Sequence, residues 1–340
     1  MDEPAFYNHS GHHAQVLPIL DRDGAEARLV LIKASYDIVP GQGLRPAETP
    51  REIRLGDEPW GDPAVADLRL PADYGLPKPG TDFVLSGHAV PPSGSTATQM
   101  DVGIRVRDRI KLLRVHGPRV WTRHFGSIGP GDSGPLERTP LAWSRAYGGA
   151  DFSDPARPLE EARNPVGSGV SRHPETLVGR PAPQIEAPGE PVTATGGRHV
   201  PAGCAPIGRH FAPRRAAAGT HDAAWMADGY PARPADYRPE HEHCAAPGLV
   251  FEEALRGGEP VRIAGVHADA VLDFVLPKRL LRVDALIDGQ ADTRRPHLDT
   301  VLVDSDALML EMVWRTVFRC PSKMRRRFTS ITVSAKEFIE

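Results

Sequence analysis

No run of about 18 apolar residues, the length a helix needs to cross a bilayer, occurs anywhere in this chain. A helical membrane span is therefore excluded. Lysine and arginine are missing from the opening Met1-Asp2-Glu3-Pro4, where a secretory leader needs positive charge, and no long apolar stretch follows. Cysteine is scarce: Cys204, Cys244 and Cys320 are odd in number, far apart and form no C-x-x-C pair, which argues against a disulfide framework and for a reduced, cytoplasmic compartment. Excess charge of either sign is lacking too. The 41 Lys and Arg against 44 Asp and Glu leave a net charge of -3, so no global field draws in nucleic acid or an acidic membrane.

Glycine and proline are abundant instead, 33 and 35 in 340 residues, which favours turns over long helices. The stretch from Pro140 to Pro188 is too rich in both for a helix or a central strand. Trp143, Tyr147, Val166 and Ile185 recur inside it, and a solvated linker has no use for such surface. It reads as an ordered irregular segment anchored on a β core.

Strand patterns fill the two ends. Over Leu29–Val39, Val30, Ile32, Ala34, Tyr36 and Ile38 share one face and Lys33, Ser35 and Asp37 the other, which predicts a one-sided core strand. Asp82–Val90 is a second strand. Met100–Arg107 alternates cleanly and turns back near Asp108, with Ile110 and Leu112 continuing the apolar face until a bulge brings Leu113 and Val115 inward. Later strands are marked by Leu272 to Leu276, Leu281 to Ile287, Leu298 to Leu302 and Leu308 to Trp314, with Glu311 and Arg315 facing out. The turn Asp304-Ser305-Asp306 predicts that the last two pair antiparallel. A short helix over Pro158–Arg163 is expected in the middle. The fold class is thus mainly β, an antiparallel β-sandwich or distorted barrel with long ordered Gly/Pro-rich insertions and few short helices. One domain spans 1–340: an N-terminal β part over 1–122, an irregular motif-bearing segment over 123–247 and a C-terminal β part over 248–340 that completes the core.

Chemistry finds no seat in the sequence. Gly131-Asp132-Ser133-Gly134-Pro135 looks like a serine-protease nucleophile loop, but Pro135 replaces a needed glycine and neither His88 nor His116 stands in a suitable context, so a surface turn is expected. His241-Glu242-His243-Cys244 lacks the second ligand pair of a zinc site and reads as a polar loop with exposed histidines. His9, His12 and His13 read as a disordered start. Arg105, Arg107, Arg109, Lys111 and Arg114 read as a solvated sheet face, and Lys323, Arg325, Arg326 and Arg327 as a solvated tail. No catalytic residue, cofactor or metal is assigned.

Pro71-Ala72-Asp73, Lys78-Pro79-Gly80-Thr81-Asp82, Leu141 to Gly149 with its Arg-Ala-aromatic-Gly-Gly ending, Asn164-Pro165-Val166-Gly167, Gln184-Ile185-Glu186, Pro201-Ala202-Gly203, Gly219-Thr220-x-Asp222-x-x-Trp225 and Ala245-Ala246-Pro247 follow one another in that order. In these motifs the chain resembles the bacterial domain-of-unknown-function family 2169 (DUF2169). That resemblance implies a type VI secretion role: a non-catalytic cytoplasmic adaptor or chaperone that binds a secreted effector protein and helps load it onto the VgrG/PAAR-type spike. It implies no nucleic-acid or membrane partner. Trp143, Arg145, Tyr147, Gly148, Gly149, Asn164, Glu186, Asp222 and Trp225 are the candidate effector-binding or loop-organising residues, with an Arg145–Glu186 pair as the structural option. Two other readings stay open: a hydrolase using Asp73, Asp82, Glu186, Asp222 or His221 in a loop-lined cleft, and a structural component of the spike itself.

Overall fold

Alternation of apolar and polar residues produces strands where it was expected and longer ones besides. The computed structural model describes residues 4–61, 67–196, 198–320 and 328–336. Its central element is the 14-residue strand Glu26–Val39. This strand pairs antiparallel with Met309–Arg319 on one side and with His13–Leu20 and Gly43–Pro46 on the other. Beyond Met309–Arg319 the sheet continues through His297–Asp304, Thr81–Ser86 and Val250–Phe251, seven strands in all. A five-stranded sheet runs in the order Ile185–Glu186, Arg109–His116, Gln99–Val106, Pro260–Ala264 and Leu272–Val275. A four-stranded sheet joins Ala5–His9, Phe328–Lys336, Leu280–Ile287 and Gln290–Arg294.

The fold is mainly β, as the patterning implies. Among the described residues the sheets do not close into a barrel. Their inward side chains, including Ile32, Phe83 and Val301 from the large sheet, Ile104 and Ile263 from the second and Val283 and Val333 from the third, share one apolar core. Pairing is largely antiparallel, with exceptions that the alternation could not disclose. Thr81–Ser86 lies parallel to His297–Asp304, and Ala5–His9 parallel to Phe328–Lys336; such partners need long connections rather than hairpins.

Several local expectations are corrected. Glu26–Val39 is not one-sided: Leu29 and Leu31 form a second apolar cluster with Ile53 and Val313, and Lys33 on that face is only 1% exposed. Residues 44–61 and 67–79 cover this side of the sheet, so Glu311 and Arg315, expected outward, are buried at 1% and 3%. The Gln99–Val106 and Arg109–His116 hairpin keeps an unbroken register, with no bulge. Ile110 and Leu112 point outward, 63% and 50% exposed, because Leu113 and Val115 already share the inward phase with Arg109 and Lys111. Residues 158–163 are not helical; Leu159–Glu160 pairs with Ala150–Asp151 instead. Ala5–His9 and His13–Leu20 are strands, not a disordered start. The basic tail at 323–327 lies outside the described residues.

Two-residue pairings alternate with short helical turns at Trp143–Arg145, Pro174–Leu177, Ala212–Arg215, Trp225–Gly229 and Pro239–Glu242. The antiparallel pairing of His297–Asp304 with Met309–Arg319 is as expected.

Candidate functional site

The motif-bearing residues divide into those that hold loops together and those that face outward. Trp143 is 3% exposed; its indole N–H donates to the Ala205 carbonyl at 2.9 Å and its ring meets Phe211 edge-on. Tyr147 is equally buried and belongs to a small satellite core with Trp121, Ala182 and Val192. Asn164, 0% exposed, joins the two: its amide donates to the Trp143 carbonyl at 2.8 Å and the Tyr147 carbonyl at 2.9 Å. Gly148 abuts the Asn164 carbonyl so closely that any Cβ would clash, and Gly149 sits at φ 110 with its N–H bonded to the same carbonyl. Trp143 and Tyr147 are two of the residues expected to anchor this segment, and here they, Asn164 and the two glycines pack internally.

Arg145 and Glu186 do not pair. Arg145 reaches Gln184 Oε1 at 3.3 Å, while Glu186 accepts from His116 Nε2 at 2.7 Å, Arg119 Nη2 at 3.0 Å and the Val192 N–H at 3.0 Å. Burial acts to raise the Glu186 pKa, but the His116 bond, the Val192 amide and the Arg119 charge overcome it and hold the carboxyl at about 2.

Two further ionic groups lie wholly inside. Lys33 sits between Asp73 at 2.8 Å and Glu311 at 2.7 Å, and Arg54 completes that group at 2.6 Å from Glu311. Asp82 collects Lys78 at 2.8 Å, His243 Nδ1 at 2.7 Å and the Cys244 N–H at 2.6 Å. Burial opposes ionisation of Asp82, but the Lys78 charge and the His243 bond lower its pKa well below the usual carboxylate range. The His241 to Cys244 run, expected as an exposed loop, is instead buried at 4–8% because Asp82 draws it in. Burial pushes the Cys244 thiol up to about 12, so it stays protonated. The acids of the hydrolase reading are therefore dispersed: Asp73 and Asp82 neutralise separate buried cations, and Glu186 belongs to a third group.

Asp222 and Trp225 behave differently. Asp222 is exposed and its Oδ1 accepts the Trp225 N–H at 2.8 Å, which caps the Trp225–Gly229 turn. Trp225 is half-buried, its indole N–H donates to the Ala232 carbonyl at 2.9 Å, and its ring meets His221 and Tyr230 edge-on at 4.5 and 6.0 Å. Trp225, His221 and Tyr230 line a cleft of about 380 Å³, together with Leu20, Tyr74, Arg209 and Arg233. Tyr230 is 67% exposed and Met226 beside it 63%. The two acids at the cleft are engaged, Asp21 with Arg319 and Glu242 with the Tyr237 hydroxyl. Arg209 and Arg233 form no ion pair among the described residues. Tyr74, Arg209, Tyr230 and Arg233 were not singled out in the sequence; the aromatic density around Trp225 was the available signal, but only folding brings Tyr74 and Arg209 to it.

None of the curated proteins and none of the solved structures matches this chain. A family model does, over residues 23–315: DUF2169, described as an uncharacterized protein conserved in bacteria. That span takes in the buried anchors, the ionic groups and the aromatic residues of the cleft, and on it the chain belongs to the DUF2169 family.

Proposed function

We propose that the protein is a cytoplasmic adaptor that grips a secreted effector and passes it to a VgrG/PAAR-type spike, with recognition rather than turnover as the role of the aromatic cleft. One observation carries this reading. Of the candidate residues, Trp225 lines an outward-facing cleft, which combines Trp225, Tyr230 and Tyr74 with Arg209 and Arg233, two guanidinium groups in no ion pair among the described residues. Aromatic residues and Arg are the side chains that carry protein interfaces. With its carboxylates engaged and neither guanidinium in an ion pair among the described residues, Arg233 lying over the Tyr237 ring at 5.5 Å, the cleft suits a segment that presents a carboxylate next to an apolar side chain.

Tagged protein purified from its native cytoplasm should bring down a toxin-like neighbour together with VgrG, identified by mass spectrometry. The double variant Tyr230→Ala/Arg209→Glu changes two exposed side chains and should keep the circular dichroism spectrum while losing most of the captured partner. Undiminished capture by that variant would remove the cleft from the interface. A purified protein that copurifies with no secretion component in wild-type form would defeat the adaptor reading itself.

A further inference from the structure

The loop Gly131-Asp132-Ser133-Gly134-Pro135 lacks a suitable histidine in the sequence, but folding supplies one. His116 ends the Arg109–His116 strand, which pairs with Ile185–Glu186. Its N–H donates to the Gln184 carbonyl at 2.8 Å, and its carbonyl accepts from Gln184 Nε2 at 3.1 Å, so the backbone beneath the ring is fixed. One ring nitrogen, Nε2, is 2.7 Å from Glu186 Oε1; the other, Nδ1, is 3.4 Å from Ser133 Oγ. Glu186 is ionised and can only accept, so Nε2 carries the hydrogen and Nδ1 turns a lone pair toward the serine hydroxyl. Arg119 and the Val192 amide hold the second carboxylate oxygen, which leaves Glu186 no freedom to turn away.

The turn that carries the serine is fixed as well. The Gly134 N–H donates to the Pro118 carbonyl at 2.9 Å, and Gly117 lies so close to the Gly134 carbonyl that a side chain there would clash. Ser133 is half-buried while His116 is 8% exposed, so the hydroxyl is reachable and the base behind it is shielded. The Ser133 backbone N–H meets no acceptor among the described residues and can donate to the oxygen of an attacked carbonyl. Nucleophile, base and orienting carboxylate thus stand in the required sequence, at an apo separation of the kind that shortens on substrate binding.

We propose that Ser133, His116 and Glu186 form an acyl-transfer triad acting on an ester or thioester at the surface, an activity that goes beyond the adaptor reading and does not depend on it. Ser133 Oγ bonds to the carbonyl carbon as its proton passes to His116 Nδ1. The carbon–oxygen or carbon–sulfur bond to the leaving group then breaks, and the leaving group takes that proton. Water attacks the acyl-serine by the same route, its proton going to His116, and the acid departs as Ser133 regains its hydrogen.

A fluorophosphonate probe tests this directly, because phosphonylation joins Oγ to phosphorus and expels fluoride together with the serine proton. The folded full chain should gain a single adduct, mapped to Ser133 by peptide mass spectrometry. Ser133→Ala should show none, and a folded His116→Gln variant should label at least about a hundredfold more slowly. Wild-type protein in concentrated urea should not label, which keeps the test decisive if His116→Gln fails to fold. No adduct on folded wild type after overnight exposure would overturn the proposal, as would labelling of Ser133 that survives unfolding or the loss of His116 at an unchanged rate.

Discussion

Asp82 is the residue whose replacement the fold should feel most. It is fully buried, neutralises Lys78, and binds His243 and the Cys244 amide. Asp82→Asn leaves that lysine only the more distant Asp299, at 3.6 Å, as counter-charge, and breaking one side of a buried pair costs about 3–5 kcal/mol; urea titration should show the midpoint falling accordingly. Asp82→Asn within 1 kcal/mol of wild type, roughly the scale of an ordinary surface change, would mean the group is not the keystone described. Gly148→Ala is expected to be comparably harmful for a different reason, since a methyl there meets the Asn164 carbonyl and forces apart the Trp143 and Tyr147 loops. At this scale the sequence was half legible. Trp143 and Tyr147 could be read as anchors because large side chains amid Gly and Pro have few other uses. The partners of Glu186 could not, since His116 and Arg119 come to it only through strand pairing.

Elements were read correctly where one face alone decided the pattern. Misreading followed where an irregular segment covers a second face. Lys33, Glu311 and Arg315 look solvent-facing by alternation, and the layer formed by 44–61 and 67–79 turns their face into an interior. The hairpin Gln99–Val106/Arg109–His116 shows a related effect: Arg109 and Lys111, which read as solvated charges, share the phase of Leu113 and Val115 and act as tethers. Arg109 lies over the Phe251 ring at 4.4 Å and Lys111 donates to the Pro247 carbonyl at 2.7 Å. Arg109→Ala should therefore loosen the neighbouring strand Val250–Phe251, seen as faster amide hydrogen exchange there, with a global loss of about 1 kcal/mol or less. Exchange unchanged at Val250 and Phe251 would reduce Arg109 to an ordinary surface charge.

For the whole molecule the ionisable interior sets the response to acid. His12 and His241 are lowered from 6.5, chiefly by burial. The unfolded chain therefore takes up their protons first, and stability begins to fall as pH drops through about 6.5. Glu186, Glu311 and Asp82 are carboxyls whose burial is outweighed by bonded or charged partners, so their pKa values are lowered too. Their contribution is complete above the unfolded value of about 4.5 and is lost as pH falls toward the Glu186 value of about 2. The urea midpoint measured from neutral pH downward should decline in these two stages; a midpoint that rises on acidification would contradict the assignment.

The parallel pairing of Ala5–His9 with Phe328–Lys336, five residues in register, has a mechanical meaning. Because the two strands point the same way, a force applied through the two tails drags one strand lengthwise along the other and loads all the rungs between them at once, whereas a hairpin would be peeled open rung by rung. A motor or translocase tugging on both tails would meet a shear clamp, and in pulling experiments the first rupture should be abrupt and governed by the unfolding rate rather than by equilibrium stability.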